Sequence, residues 1–477
     1  MSALVKFSVV PQLCIRRRIF LCLWLAVCLI LDRMHKSQPY KGKIFLLFII
    51  VVIFIFISFV RSPGTNWSIP KPRGAQKTCP YQVSEQTITP LINTDHFLVS
   101  AYTDQRVNGF SIRIIGIFKR DAIQTLHCVF CCEGHLSTTT PTTILPHSDH
   151  FGFPFDTTDV MCQVPSNCDA THVTLLTQPD GVKALNHSWL PIRNKNMKVE
   201  NKIHFNFTVC ISTLFDKYNN VLQFAQTLEI YRLLGVNRVV VYNTSSGPDL
   251  DRLLRSYNHG GFLEVVPWPI DQYLRPSSGW LFSQYGGDLH YFGQLTTLNE
   301  CIYRSMDRSR YVLLNDIDEI IMPYQHNNLM SLMDMLQQQH PNAGVFLIEN
   351  HVFPKKPFEQ SKKSPLPTWK GVPGYNILEH IYREEPDRKS FHPYKMIVQP
   401  RFVEQTSVHD VLKMSGEKVK VPPEVCHIIH CPISTPRQCP LEQLYVDTRL
   451  WDFKDNLIPR VNEMLTRGGL LKSTGKS

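Results

Sequence analysis

The sequence has few runs of positive charge. Arg16, Arg17 and Arg18 form its one Lys/Arg block, and the remaining excess behind the formal net charge of +10 is spread along 477 residues. A nucleic-acid-binding surface is therefore not indicated. The sequence also lacks the bias of disordered chains, since 43% of its residues are hydrophobic and 19% are charged. The composition predicts a globular protein that is long enough for two or more domains.

One N-terminal stretch contains no charged residue. Residues 44–60 read IFLLFIIVVIFIFISFV, and a helix of this length spans roughly 25 Å, enough for a thin Golgi bilayer. No small-residue cleavage site follows, which favours an uncleaved signal-anchor over a secretory signal peptide. A shorter apolar run, residues 19–31, has two interpretations. It is either a first short span that forms a hairpin with 44–60, or part of an N-terminal extension of a protein whose translation otherwise starts at Met34. We expect a cytoplasmic tail (1–43), a transmembrane span (44–60) and a stem (61–80).

Glycosylation motifs indicate the orientation of this anchor, because Lys and Arg lie on both sides of the span. Asn-x-Ser/Thr sequons follow the span at Asn66, Asn186, Asn206 and Asn243. Their modification requires the lumen of the secretory pathway. The predicted protein is a single-pass type II membrane glycoprotein of the Golgi with a luminal catalytic domain.

Eleven of the fourteen cysteines lie after the predicted span. The spacings of Cys128, Cys131 and Cys132, and of Cys162 and Cys168, predict disulfides in an oxidising compartment, with an odd thiol left over. A zinc knuckle that adds His135 to the first three cysteines is the alternative. The sequence lacks a second matching pair at finger spacing, which makes zinc the weaker interpretation.

The pattern of the chain changes near residue 200. Residues 81–199 contain short β-type runs separated by turn formers, which predict a small β-rich luminal module. Residues 200–465 alternate strand and helix patterns with short connections, and 466–477 form a C-terminal tail. The alternation predicts an α/β domain with a parallel sheet covered on both faces, whose ligands bind beyond the carboxyl ends of the strands.

Three carboxylates follow the fourth strand of this domain, in the segment YVLLNDIDEIIMP (Tyr311–Pro323). Side chains alternate along a strand, so Asp316 and Asp318 can converge on one point. Two convergent carboxylates favour a hard divalent cation, Mn²⁺ or Mg²⁺, between them. In the alternative interpretation they are solvated turn residues or salt-bridge partners. Glu319 falls on the opposite pleat, which favours a structural role.

Three separated segments resemble glycosyltransferase family 92. They are LEIYRLLGVNRVVVYN, YFGQLTTLNECIYRSMDRSRYVLLNDIDEIIMP and KMIVQPRFVEQTSVHDV, in this order, within roughly Phe207 to His430. The resemblance implies a type II membrane enzyme with a GT-A-type, Rossmann-like nucleotide-sugar domain, and some family members are β-1,4-galactosyltransferases. It implies inverting transfer of galactose from UDP-galactose to a glycan or glycoprotein acceptor. Asp316 and Asp318 would be the D-x-D pair that holds Mn²⁺ or Mg²⁺.

The resemblance also suggests residues around the donor. His409 lies where GT-A enzymes commonly supply a third metal ligand, although it could instead serve packing or a surface turn. Gln294, Asn299 and Glu300 lie on the helix before the acidic segment and match donor-side positions of the family pattern. Strand ends independently place Thr213, Tyr242 and Asn243 near the nucleotide. Tyr242 could equally be a core aromatic, and a glycan on the Asn243 sequon would conflict with a donor contact.

Inversion requires a general base for the acceptor hydroxyl. In GT-A enzymes the base tends to lie between the D-x-D motif and the late histidine, which leaves Glu349, Glu379, Glu384 and Glu385. We favour Glu379.

The segment after His430 departs from the family pattern. Cys431 and Pro432 replace the expected basic and aromatic residues, which puts the acceptor range, and even activity, in question. One alternative function is a metal-dependent phosphoesterase, but the acidic segment lacks the nucleophile and the histidines that this chemistry needs. The other is a membrane-anchored binding or adhesion ectodomain with an inactive α/β domain.

Overall fold

A computed structural model describes residues 79, 82–106, 111–179, 187–195, 203–257, 260–357, 366–367, 369–389, 393–433 and 439–472. The predicted cytoplasmic tail (1–43), the predicted span 44–60 and most of the predicted stem lie outside these residues. The sequons at Asn66 and Asn186 also lie outside them. Among the described residues, no helix has the length and apolarity to cross a bilayer.

The first nine strands form one antiparallel sheet in the order β1-β2-β3-β7-β6-β4-β8-β9, with β5 beside β4. Their buried residues supply a core of their own, with Ile114, Phe130 and Val173 fully buried. The strands are β1 (Thr89–Pro90), β2 (Phe97–Asp104), β3 (Ser111–Lys119), β4 (His127–Cys132), β5 (His135–Leu136), β6 (Thr140–Pro146), β7 (Phe155–Gln163), β8 (Ala170–Leu176) and β9 (Leu190–Pro191).

Three disulfides connect this sheet: Cys79–Cys131, Cys128–Cys162 and Cys132–Cys168. The prediction of disulfides is confirmed, and the zinc knuckle is excluded because its three cysteines are all bonded to other cysteines. Three described cysteines rather than one stay as thiols, namely Cys426, Cys431 and Cys439.

The rest of the chain forms a mixed sheet in the order β12-β11-β10-β13-β17-β15-β21-β14, with β20 beside β15. Its strands are β10 (Phe205–Leu214), β11 (Arg238–Asn243), β12 (Leu263–Pro267), β13 (Ser309–Asn315), β14 (Glu319–Pro323), β15 (Ala343–Val352), β17 (Tyr394–Val398), β20 (Glu417–Lys420) and β21 (Cys426–His430). Two small ribbons pair β16 (Tyr382–Arg383) with β22 (Tyr445–Val446), and β18 (Val403–Thr406) with β19 (Val411–Met414).

Six helices accompany these strands: α1 (Val221–Leu233), α2 (Pro248–Tyr257), α3 (Phe282–Tyr285), α4 (Gln294–Ser305), α5 (Leu329–Gln339) and α6 (Lys454–Arg467). The apolar spacing of residues 221–234, followed by Gly235, predicts a helix that stops at this glycine. α1 ends there, because Gly235 adopts a left-handed conformation (φ 94°) and the amide of Val236 bonds back to the carbonyl of Tyr231.

Helices cover both faces of β10 to β13. On one face, Val209 of β10 and Val241 of β11 pack with α1, α2, α5 and α6. On the other face, Val240 and Val312 pack with α4, and the Cys210–Cys301 disulfide joins β10 to α4. β10, β11, β12 and β13 are parallel, as predicted. The remaining strands make the whole sheet mixed, because β17 lies antiparallel to both β13 and β15.

The strand order creates one switch point. From β10 the chain passes to β11 and β12 on one side, and β13 then returns to the other side of β10. The connections that leave the carboxyl ends of β10 and β13 therefore diverge and leave a crevice between them, which is where open α/β sheets bind ligands.

Candidate active site

A cavity of about 620 Å³ lies at this crevice. The carboxyl end of β10 contributes Ser212 and Thr213, and the segment after β13 contributes Asp316 and Asp318. The other walls come from residues 214–216 and 218, from Trp280, from residues near 290, 408 and 430, and from Phe151 of the loop between β6 and β7. The antiparallel β-sheet thus supplies part of the wall, which the sequence did not suggest.

The end of β10 is irregular. The register between β10 and β11 shifts between Ile211 and Thr213, and a bulge of this kind re-aims side chains. Thr213 is buried and its hydroxyl lacks a hydrogen-bond partner, and the same is true of Nδ1 of His290, which also lines the cavity. Buried polar atoms are normally paired, so a polar ligand in the cavity would supply the missing partners.

The acidic segment is a turn and not a continuation of the strand. β13 ends at Asn315, β14 begins at Glu319, and the amide of Glu319 bonds to the carbonyl of Asp316 at 3.3 Å. The predicted strand alternation of Asp316 and Asp318 is therefore wrong, although both residues line the cavity. Asn315 holds the turn closed, since its side-chain amide donates to the carbonyl of Glu319 at 2.6 Å.

Lys395 of β17 neutralises part of the negative charge. Its ammonium is buried, 2.6 Å from Oδ2 of Asp316 and 3.3 Å from Oε2 of Glu319. Burial raises the pKa of Asp316, but Lys395, together with His409 and His430, outweighs this effect and keeps the pKa below its ordinary value. Burial raises the pKa of Glu319, whose Oε1 accepts a 2.8 Å hydrogen bond from Asn350. Lys395 is the first residue of the third segment that resembles the family, KMIVQPRFVEQTSVHDV, and the resemblance assigns it no role.

Asp318 meets a residue that the sequence analysis did not assign to the site. Nε2 of His430 lies 3.4 Å from Oδ2 of Asp318. Burial lowers the pKa of His430, but the hydrogen bond to Asp318 and the charge of Glu319 raise it to about 9. The position of His430 follows from the pairing of β14 with β21, in which Glu319 lies opposite His430. The signal in the sequence that could have found His430 is the segment EVCHIIHCPIS, which weakly resembles the late histidine-containing strand of the family.

His409, the predicted third metal ligand, lines the same cavity, and its role as a ligand stays a prediction. Its Nδ1 lies 3.0 Å from the carbonyl of Tyr394, and a proton on Nδ1 would leave the lone pair on Nε2. Burial, together with the charge of Lys395, lowers the pKa of His409 to about 4. The imidazole is therefore neutral at physiological pH, the form in which histidine binds metals.

The predicted donor-binding residues separate into two groups. Thr213 and Gln294 line the cavity, and Nε2 of Gln294 donates to Oδ1 of Asp316 at 3.2 Å. The other four have their side chains engaged outside the lining. The hydroxyl of Tyr242 bonds to Glu300, which also pairs with Arg304. Asn299 bonds to the backbone of Thr406 at 2.8 Å and 2.9 Å, and Nδ2 of Asn243 donates to Ser246 at 2.9 Å.

Two further predictions concern residues away from the cavity. The carboxylate of Glu379 lies 2.6 Å from the ammonium of Lys355, and Glu379 is not part of the lining. Its assignment as the general base stays a prediction. Asn206 is exposed in β10, a position open to a glycan, and its modification also stays a prediction.

Backbone strain is concentrated at the cavity. Phe151, Asp216 and Tyr291 have positive φ angles of 51°, 54° and 38°, and all three line the cavity. Left-handed conformations are unfavourable for residues with a side chain and persist where the surrounding structure imposes them, often at functional sites.

The donor set fits a divalent cation that a ligand helps to hold. In the described part of the chain, no group of three or more His, Cys, Asp or Glu residues is arranged to hold a metal ion by itself. Mg²⁺ in enzymes is commonly bound by one or two carboxylates plus substrate phosphates, and imidazole and carboxylate both suit Mn²⁺. Asp316, Asp318 and His409 are therefore suitable ligands for a cation that arrives with a phosphate-bearing ligand.

The fold and the cavity define a class. This is an α/β protein with a cavity at a switch point of parallel strands, lined by carboxylates and imidazoles, in which buried polar atoms of Thr213 and His290 lack hydrogen-bond partners among the described residues.

The family follows from the sequence match. A model of glycosyltransferase family 92 matches residues 205–457, more than half of the chain, and the chain belongs to this family. The matched residues contain β10 to β13, the acidic turn, Lys395, His409 and His430.

Two curated relatives come from Caenorhabditis elegans. A glycosyltransferase family 92 protein is 24% identical over 46% of this chain and 41% of its own length. Beta-1,4-galactosyltransferase galt-1 is 20% identical over 48% of this chain and 51% of its own length. The matches thus span about half the length of either relative.

Solved structures give weaker likenesses. Staphylococcus aureus TarS 1-349 in complex with UDP-GlcNAc has a TM-score of 0.25 and 14% identity, and covers 55% of this chain and 72% of its own. A mannosyltransferase from Pyrobaculum calidifontis in complex with GDP-Man and Mn²⁺ has a TM-score of 0.27 and 13% identity, and covers 57% and 77%. The fold assignment therefore rests on the strand order and the family match.

Proposed function

We propose that the protein is an inverting glycosyltransferase that moves a sugar, most simply galactose from UDP-galactose, to a glycan acceptor. The observation that carries this proposal is the cavity between β10 and β13, which contains Asp316, Asp318 and His409 within the family-matched residues. The name of the relative galt-1 supports galactose as the sugar and β-1,4 as the linkage.

The residues of the cavity would have different roles in binding the donor. Thr213 and His290, whose buried polar atoms lack partners, would bind the nucleotide. Asp316, Asp318 and His409 would hold Mn²⁺ or Mg²⁺, and Lys395, Ser212 and Gln294 keep Asp316 in place. A cation bound there supplies neutralisation of the diphosphate leaving group. Glu379 stays our candidate for the general base.

The proposal also includes the location of the protein in the cell. We place the catalytic residues in the Golgi lumen, behind a type II signal-anchor at 44–60. Four disulfides among the described residues support an oxidising compartment.

The test is sugar transfer by the full chain in detergent, with Mn²⁺ and a panel of UDP-sugars and glycan acceptors. Asp318→Asn is expected to lower transfer at least 100-fold, because it removes a charged ligand from the cation. The control is Asp334→Asn, on the exposed face of α5, which should retain full activity. Equal transfer by wild type and Asp318→Asn would refute the metal assignment. No turnover of any donor would favour the membrane-anchored binding protein instead.

A further inference from the structure

Two large apolar residues of the cavity lining are exposed to solvent. Trp280 lines the cavity but is 51% exposed, and Ile433, which is 53% exposed, also lines it. The charged side chains of Asp316, Asp318 and His430 are only 35%, 27% and 24% exposed. Asp316, Asp318 and His430 are therefore less exposed than Trp280 and Ile433, whereas Asp216 of the same lining is exposed. Aromatic side chains, Trp in particular, are enriched at binding surfaces.

The loop that carries Trp280 has a closed base. The amide of Arg275 donates to Oδ2 of Asp288 at 2.8 Å, and the amide of Ser277 donates to the carbonyl of Leu289 at 2.9 Å. The loop is also attached to the antiparallel sheet, since the amide of Phe155 bonds to the carbonyl of Asp288 at 2.9 Å. These bonds hold the base of the loop at the edge of the cavity.

The indole itself packs against a second cavity residue. The rings of Phe151 and Trp280 lie 6.2 Å apart at 78°, an edge-to-face contact, and Phe151 stacks on His290 at 4.3 Å. Phe151 holds this position with a left-handed backbone, φ 51°. The β6–β7 loop and the Trp280 loop thus form one aromatic wall, in which Trp280 is about half exposed to solvent.

On this basis we propose that Trp280 is the platform on which a pyranose ring of the acceptor glycan stacks. This inference rests on the proposed function. One face of a pyranose carries mainly C–H groups and packs on an aromatic ring, while its hydroxyls stay in water. A wall without charge suits this neutral ligand. The donor diphosphate belongs at the less exposed carboxylates, and the buried Thr213 suits the nucleotide.

The experiment measures binding of the full chain, with UDP and Mn²⁺ present, to a printed array of N-linked and O-linked glycans. Trp280→Ala is expected to weaken the best glycan about 10-fold, and Trp280→Phe less than about threefold, because an aromatic face remains. Tyr445→Ala is the matched control, since Tyr445 is 55% exposed and lies outside the cavity lining. It should bind like wild type.

Kinetics supply a second readout. Trp280→Ala should raise KM for the acceptor about 10-fold and leave KM for UDP-galactose unchanged when donor hydrolysis is followed without acceptor. The inference is overturned if Trp280→Ala binds glycans like wild type, if the change falls on the donor KM, or if wild type retains no glycan. Glycan binding that depends on Trp280, without transfer from any donor, would refute the proposed function and leave this inference standing.

Discussion

Replacing Lys395 by methionine is expected to destabilise the folded protein by about 3–5 kcal/mol. Lys395 and Glu319 are 2% and 5% exposed, with 3.3 Å between ammonium and carboxylate. Removing one partner of a buried pair leaves the other charge without compensation, which costs about 3–5 kcal/mol. The contact to Asp316 adds less, because a side chain that is 35% exposed is partly screened by water.

Differential scanning calorimetry can measure this effect. At roughly 2–4 °C per kcal/mol for a domain of this size, the thermal midpoint should fall by about 10 °C. The control is Lys418→Met, which removes an exposed ion pair with Asp410 and should change stability by less than about 1 kcal/mol.

A double variant separates charge from packing. Lys395→Met combined with Glu319→Gln removes both buried charges and keeps an acceptor for the 2.8 Å hydrogen bond from Asn350. It should recover about half of the lost stability. The reasoning fails if Lys395→Met is no worse than the Lys418 control, or if the double variant is no more stable than Lys395→Met alone.

Two other predictions concern stability. Replacing Cys210 and Cys301 by alanine opens a disulfide that spans 91 residues and should cost about 2–5 kcal/mol in thermal unfolding, whereas Cys439→Ala, at a free thiol, should cost little. Burial raises the pKa of Glu300, but Arg304 outweighs it and lowers the pKa to about 2. Since this folded-state pKa lies below the ordinary value, Glu300 should contribute about 3 kcal/mol above pH 4.5, and this is lost as the pH falls towards 2. Glu300→Gln should flatten the acid limb of a stability–pH profile, and an unchanged limb would contradict the assignment.

The regular elements around the cavity were predictable because their signals are local. β-branched runs, helical spacing and the glycine stop placed β10, α1, β11, α2, β12, α4 and β13. The strand-end rule also placed Thr213 at the cavity correctly. It did not do so for Tyr242, whose side chain faces α4, because a terminal strand residue can point to either face of the sheet.

Other site residues depend on contacts far apart in the chain. Phe151 reaches the cavity from the antiparallel sheet, and Lys395 and His430 reach the acidic turn by strand pairing across the mixed sheet. No periodicity or spacing in the sequence encodes these approaches.

The sequence by itself determined the strand and helix pattern, the family, and the acidic segment as the centre of the site, because each is written in neighbouring residues. The tertiary structure decided how that segment is used. It turns the carboxylates out of a strand, pairs Asp316 and Glu319 with one buried lysine, sets His430 against Asp318 and brings Phe151 from the other sheet to Trp280. These outcomes depend on which strands pair, and pairing is set by packing across the whole domain.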